Sequence, residues 1–268
     1  MSTEIADDEI LSELMAHARA GAPGLLQFQS LVSARQYLPL YRLWRSRVPA
    51  GAEVLDWGAG NGHFSYFLLR AGYRVTGYSF EPFVFESWLP AIPYRFVPGL
   101  AGDPVHLPFP DAVFDAVASV GVLEHVRETG GNEPGSLAEI ARVLRPGGVF
   151  VCWHLPDRWS WIELASRQVP GKHHHPYRYA RGDVRRLVAD AGLELVALRR
   201  YGLIPRRTAH VLLGPARDSR WVAAACDGLD AALAIPLGVI AQNHGFVARK
   251  PAAAGAAAAR SRPPAPAR

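Results

Sequence analysis

The stretch Val54-Leu55-Asp56-Trp57-Gly58-Ala59-Gly60-Asn61-Gly62-His63-Phe64-Ser65 constrains the fold more than any other part of the chain. Two apolar residues lead into an aspartate and three glycines follow at alternate positions. Phe64, Phe67, Leu68 and Leu69 then recur at helical spacing. The pattern predicts a buried strand ending near Asp56, a tight turn, and a helix entered near Phe64. Glycine at 58, 60 and 62 admits backbone torsions and a close ligand approach that a Cβ blocks. In an open α/β sheet such a turn lies at the carboxyl end of its strand, where ligands bind. A nicotinamide fingerprint requires a third glycine where His63 stands, and a phosphate-binding loop requires a Gly-Lys-Ser/Thr that is absent.

The string D-x-G-x-G-x-G resembles the first motif of the class I S-adenosylmethionine (SAM)-dependent methyltransferases, and in particular their small-molecule, type 11-like family. Further matches follow in order. Gly102-Asp103 and Val105–Asp111 resemble the family's adenine-binding aspartate and its L-P-F-P-D string. Phe114–Val126 resembles F-D-x-V-x-S-x-x-V-L-E-H, and Leu144–Gly148 resembles the L-R-P-G-G turn. The resemblance covers roughly residues 50–155. It implies an α/β, Rossmann-like fold: a seven-stranded, mostly parallel sheet with helices on both faces, N-terminal helices, and a helical insertion before the last strand. It implies SAM as cofactor, with Asp56, Gly58, Ala59, Gly60 and Asn61 at the glycine loop, Asp103 and Pro104 at the adenine, and Val120 at the end of the fourth strand. The family's ribose-binding acid falls on Ser79. Glu81, two residues on, is expected to replace it, because a charge-assisted hydrogen bond outweighs a neutral one; Ser79 remains as a minor contact.

Around this segment the periodicity predicts a helix within residues 1–22, with Ile10, Leu11, Leu14 and Met15 on one face, and a second over 29–47 kinked at Pro39. Strands are expected at 73–78, 94–97, 114–120, 149–153, 193–198 and 245–249, and helices at 136–144 and 179–191. This divides the chain into an N-terminal helical cap (1–48), a SAM-binding domain (49–250) holding an insertion at 200–241, and a low-complexity tail (251–268) expected to be disordered. In the family, helices like the first two cover the cofactor. Tyr37 and Arg42 therefore read either as contacts to its carboxylate or as packing residues.

His125 and His154 follow the carboxyl ends of central strands and are the catalytic candidates, since imidazole titrates near neutrality. His125 reads equally well as a brace for its loop. His173-His174-His175 suggests a metal, but consecutive side chains of an extended segment alternate in direction; no metal centre is expected. Leu229, Ala232, Leu233, Leu237, Val239 and Ile240, interrupted by Pro236 and Gly238, read as a helical hairpin completing the core, or as an apolar lid or peripheral membrane contact. No apolar run reaches the roughly 18 residues of a spanning helix.

A chain that is 49% hydrophobic and 20% charged fits a globular protein. Its net charge of +5 is not gathered into the basic, aromatic-interleaved patch of a nucleic-acid binder. Residues 120–123 read Val-Gly-Val-Leu where amino-directed nucleic-acid methylases carry a Pro-Pro motif. Two cysteines exclude a disulfide framework, and the acidic N-terminus lacks a secretory pattern, so a cytoplasmic setting is expected. The chain thus reads as a SAM-dependent methyltransferase acting on a small molecule: a secondary metabolite, a quinone or an envelope component. The alternatives are a SAM-binding protein without transferase activity and an RNA or protein methyltransferase.

Overall fold

The computed structural model describes residues 5–80, 94–100, 102–169, 171 and 174–252. Glu81, His173 and the tail from 253 onward therefore lie outside the described residues. In chain order, α1 (Asp7–Arg19), α2 (Leu31–Ala34) and α3 (Leu38–Arg47) precede β1 (Glu53–Trp57), α4 (His63–Arg70), β2 (Arg74–Ser79), β3 (Arg95–Pro98) and β4 (Phe114–Val120). Then come α5 (Glu133–Val143), β5 (Leu144–Pro156), α6 (Trp161–Ser166), α7 (Arg181–Asp190), β6 (Glu194–Tyr201), α8 (Arg206–Leu212), α9 (Arg220–Leu237) and β7 (Asn243–Arg249).

The strands form one seven-stranded sheet in the order β3-β2-β1-β4-β5-β7-β6. The first five are parallel, and β7 runs antiparallel between β5 and β6. The order reverses between β1 and β4, so the crevice outside their carboxyl ends is where this topology accepts a ligand. Alternate residues feed opposite faces of the sheet. Val54, Ala116, Ala118, Val151 and Trp153 pack under α1, α3 and α4. Leu55, Val117, Phe150 and Cys152 pack under α5 and α7. The N-terminal helices share the first of these layers: Ile10, Leu11, Leu14, Tyr41 and Trp44 are buried in the same cluster as β1.

Three local expectations are corrected. The second helix is broken, with a 3-10 turn at Arg35–Tyr37, and Pro39 sits in the first turn of α3, where its missing N–H costs nothing. The fifth strand runs past Trp153 to Pro156, through a bulge between Cys152 and Leu155 in which His154 has φ +67°. Finally, Arg220–Ile240 is long and apolar enough to cross a membrane by length and composition, and almost none of it is buried. Pro236 lies inside α9, within its last turn, and does not divide it.

Candidate active site

The glycine loop follows β1 with φ of +79°, +48° and +74° at Gly58, Gly60 and Gly62. The Gly58 and Ala59 N–H groups both donate to the carbonyl of Tyr78, at 2.7 and 3.0 Å, which fixes the loop to the end of β2. A Cβ on Gly58 would fall 2.3 Å from Val122, so this glycine lets the β1 and β4 loops touch. Beside Gly60 the nearest such contact is the Gly58 carbonyl at 3.6 Å, which leaves its Cα open to a ligand. Asn61 packs against Gly24, closing the loop from the N-terminal side.

Asp56 lies behind the loop. It is buried, and its carboxylate accepts a 2.6 Å hydrogen bond from Ser65 Oγ, which is in turn 3.0 Å from Tyr94 Oη. Burial pushes the Asp56 carboxyl up to about 6, partly offset by the Ser65 bonds. The side chain thus joins β1 to the first turn of α4 and positions the loop. Gly77 makes room for this chain, since a Cβ there would coincide with the Tyr94 hydroxyl. Ser79 closes β2 and is buried, Val120 is half-buried at the end of β4, and Pro104 is half-buried. Asp103 is exposed, and its Oδ1 accepts the His106 N–H at 3.2 Å in a turn. Open backbone at Gly60, neutral Ser79 and a carboxylate at Asp103 fit the methionine, ribose and adenine ends of SAM.

Across the crevice, β4 leads into a 3-10 turn, Leu123–His125. Glu124 is buried, which pushes its carboxyl up to about 8, and its Oε2 has no partner among the described residues. His125 Nδ1 lies 3.1 Å from Glu128 Oε1, and its Nε2 lies 3.9 Å from Glu124 Oε1. The 174–179 segment brings His175 beside it, with ring centroids 5.4 Å apart. His175 is held by both oxygens of Glu163, through Nδ1 at 3.0 Å and its backbone N–H at 2.9 Å. Burial pulls this imidazole down, yet the Glu163 hydrogen bond prevails and its pKa is raised. Glu124, His125 and His175 each bring one ligand-type atom within 4.8 Å of the others, a spacing that a divalent cation can bridge.

His154 completes the third side. Its backbone N–H donates to Tyr201 Oη at 2.8 Å, and its Nδ1 lies 3.1 Å from the same oxygen. The Tyr201 hydroxyl can donate to Nδ1, and in that tautomer Nε2 carries the N–H of a neutral ring. Burial pushes this imidazole down to about 3, and Nε2 has no partner among the described residues. Tyr37 lies 5.3 Å from the His154 ring and 5.0 Å from His63, and Phe28 stacks behind it. Tyr37 therefore belongs to the crevice. Arg42 does not: it is exposed and lines a separate cavity of about 390 Å³, together with Arg199, Tyr201 and Asp227.

His63, passed over in reading the sequence except as a missing glycine, proves central. Burial pushes it down to about 4, and neither ring nitrogen has a partner among the described residues. The signal was its position: the first helical residue after a ligand-binding glycine loop faces whatever that loop holds. Buried polar atoms are ordinarily hydrogen-bonded, so the unpartnered nitrogens of His63 and His154 are available to a ligand in the crevice.

Comparison with known proteins agrees with this geometry. Residues 55–152 match a family described as a methyltransferase domain. A demethylmenaquinone methyltransferase of Tropheryma whipplei is 38% identical over 110 residues, which are 39% of this chain and 42% of that protein. A probable SAM-dependent methyltransferase of Mycolicibacterium smegmatis is 29% identical over 148 residues, 54% of this chain and 53% of that one. The chain spans about half the length of the curated relatives it matches. In fold it is similar to the 1,6-didemethyltoxoflavin-N1-methyltransferase of Burkholderia thailandensis, solved with S-adenosylhomocysteine (TM-score 0.51, 20% identity, 94% of this chain and 93% of that one). It is also similar to a SAM-dependent methyltransferase of Archaeoglobus fulgidus (TM-score 0.53, 16% identity, 81% and 94%). Residues 55–152 thus match the methyltransferase-domain family, within a longer chain whose fold is that of the solved methyltransferases.

Proposed function

We propose that the chain transfers the methyl group of SAM to a small-molecule acceptor held between the glycine loop and the loops after β4 and β5. The observation that carries this reading is the set of imidazoles around the crevice: His63, which directly follows the glycine loop, and His154 both flank Tyr37, and His175, which lies beside His125, acts electrostatically on His154. SAM, when bound, supplies an electrophilic methyl group; the chain binds, orients and excludes water. Gly58, Ala59, Gly60 and Asn61 are assigned to the methionine end, Ser79 to the ribose, and Asp103 and Pro104 to the adenine, with Val120 beneath. Glu81 keeps its ribose assignment from the sequence.

The two catalytic candidates take different roles. A ring as weakly basic as His154 stays neutral near pH 7 and serves as a hydrogen-bond donor through Nε2, orienting the acceptor. His125, with Glu128 on Nδ1, has the base-plus-orienting-carboxylate arrangement of a proton acceptor. The demethylmenaquinone named in the curated relatives points to a quinone-type acceptor taken in its already reduced, hydroquinone form, whose oxygen or ring carbon becomes nucleophilic once a hydroxyl proton leaves.

Calorimetric titration with S-adenosylhomocysteine tests the cofactor half. The wild-type chain binds, and Gly60→Val abolishes binding while the fold persists. Equal affinity in the two overturns the assignment. Transfer of labelled methyl from SAM to a panel of hydroxylated naphthalenes and benzenes tests the acceptor half. Tight cofactor binding with no transfer to any of them favours a SAM-binding protein without transferase activity.

A further inference from the structure

An ordinary surface helix turns its apolar stripe inward and its charges outward. In α9 the arrangement is reversed. Its two carboxylates face the protein. Asp227 pairs with Arg35 at 2.7 Å and with buried Arg206 at 2.9 Å, while Asp230 accepts the N–H groups of Leu203 and Ile204 at 2.7 and 2.8 Å. Its large apolar side chains face away: Trp221 is 74% and Ile235 89% exposed, with Leu229 exposed between them. The neighbouring α8 adds Val211 and Leu212, the latter 79% exposed. Soluble surfaces seldom carry a contiguous apolar area of this kind unless it meets something.

The charge around this face selects the occupant. Arg207 and Arg220 are exposed at its margin, and the Arg220 guanidinium lies 5.2 Å over the Trp221 ring. The carboxylates of this flank are already engaged, Asp227 and Asp230 as above and Asp218 by Arg19 and the Leu31 N–H. A cationic margin around an apolar face with a tryptophan at one end matches an anionic lipid surface, where aromatic rings sit at headgroup level. A second copy of the same face would bring like charges together. Asp227 and Asp230, tied to the body of the protein, hold α9 along a surface rather than across a bilayer.

We infer that α8 and α9 dock the protein on an anionic membrane surface. Residues 227, 230, 231 and 234 of α9 also wall the 390 Å³ cavity, which is lined as well by Tyr201, the residue that holds His154. Resting on the methyl-transfer reading, this makes a lipid-soluble acceptor the class that the docked enzyme meets; the docking itself stands apart from that reading.

The test is flotation of the full chain with phosphatidylglycerol-containing and phosphatidylcholine-only vesicles, followed through tryptophan emission. The wild type binds the anionic vesicles with a blue shift. Leu212→Glu/Ile235→Glu lowers the bound fraction about tenfold. Arg207→Glu/Arg220→Glu weakens binding and reduces its salt dependence. Both sites are exposed, so melting temperature and S-adenosylhomocysteine affinity stay unchanged and report that the fold is intact. The inference is overturned if the wild type fails to float with anionic vesicles, or if the Leu212→Glu/Ile235→Glu variant binds as well as the wild type. It is equally overturned if the wild type sediments as a dimer that the same variant dissociates, with no vesicle binding. Loss of cofactor binding or methyl transfer with docking intact would defeat the proposed function and leave the docking standing.

Discussion

Glu124 is the residue whose environment departs furthest from what a carboxylate favours. Its ordinary value is 4.5, and burial raises it to about 8 in the fold. The folded state therefore keeps a proton that the unfolded chain has released, and stability from this group, complete below pH 4.5, is lost as pH rises through about 8. Glu124→Gln, which mimics the protonated form, is expected to match the wild type near pH 4.5 and exceed it at pH 8. The gain is roughly 1–3 kcal/mol, the cost of leaving a buried polar group unsatisfied. Denaturant melts at the two pH values check this; a wild type that is the more stable at pH 8 rejects it. Tyr201 offers a second test. Tyr201→Phe removes the hydroxyl that holds both the backbone and the ring of His154. Loss of a neutral hydrogen bond of about 0.5–1.5 kcal/mol predicts a kcat roughly two- to tenfold lower with S-adenosylhomocysteine affinity unchanged.

Between β1 and α4 the decisive contact is Asp56 with Ser65. Ser65→Ala strands a buried carboxyl and is expected to cost roughly 1–3 kcal/mol, and to weaken cofactor binding because the glycine loop loses its anchor; Ser65→Thr should restore most of both. Thermal melts and S-adenosylhomocysteine titrations on the pair check it. At this scale much was legible. β4 falls where its apolar run places it, and the buried faces of α1 and α4 follow their periodicity. The extension of β5 was not, because a left-handed φ on a histidine leaves no trace in composition; it depends on Tyr201 reaching across from β6. Nor was the convergence of His125 with His175, which depends on Glu163 of α6 gripping a loop twelve residues away. The outward apolar face of α9 was hidden for a general reason. Periodicity shows that a helix has an apolar side, while the partners of Asp227 and Asp230 determine which way that side turns.

For the molecule as a whole, the family match ends at residue 152, and what makes this chain particular lies outside it. Helix α2 and the adjoining turn are joined to the insertion through Arg35–Asp227, Leu31–Asp218 and Val32–Arg206. Asp227→Ala leaves the buried guanidinium of Arg206 without its counter-ion. We expect a cost of about 1–3 kcal/mol, felt first as local opening of 206–237. Limited proteolysis should cut that segment faster while the melting of the sheet core shifts little; an unchanged cleavage rate contradicts it.

The same three contacts bear on the order in which the fold comes into being. They join residues 174, 187 and 192 positions apart, so the early partner leaves the ribosome long before the late one. At about 5–20 residues per second the interval is roughly ten to forty seconds. Throughout it the turn that carries Tyr37 waits without its outer support, and nascent chains are open on that side. Completion of the crevice is therefore a late event of synthesis, set by the arrival of Arg206, Asp218 and Asp227 far along the chain.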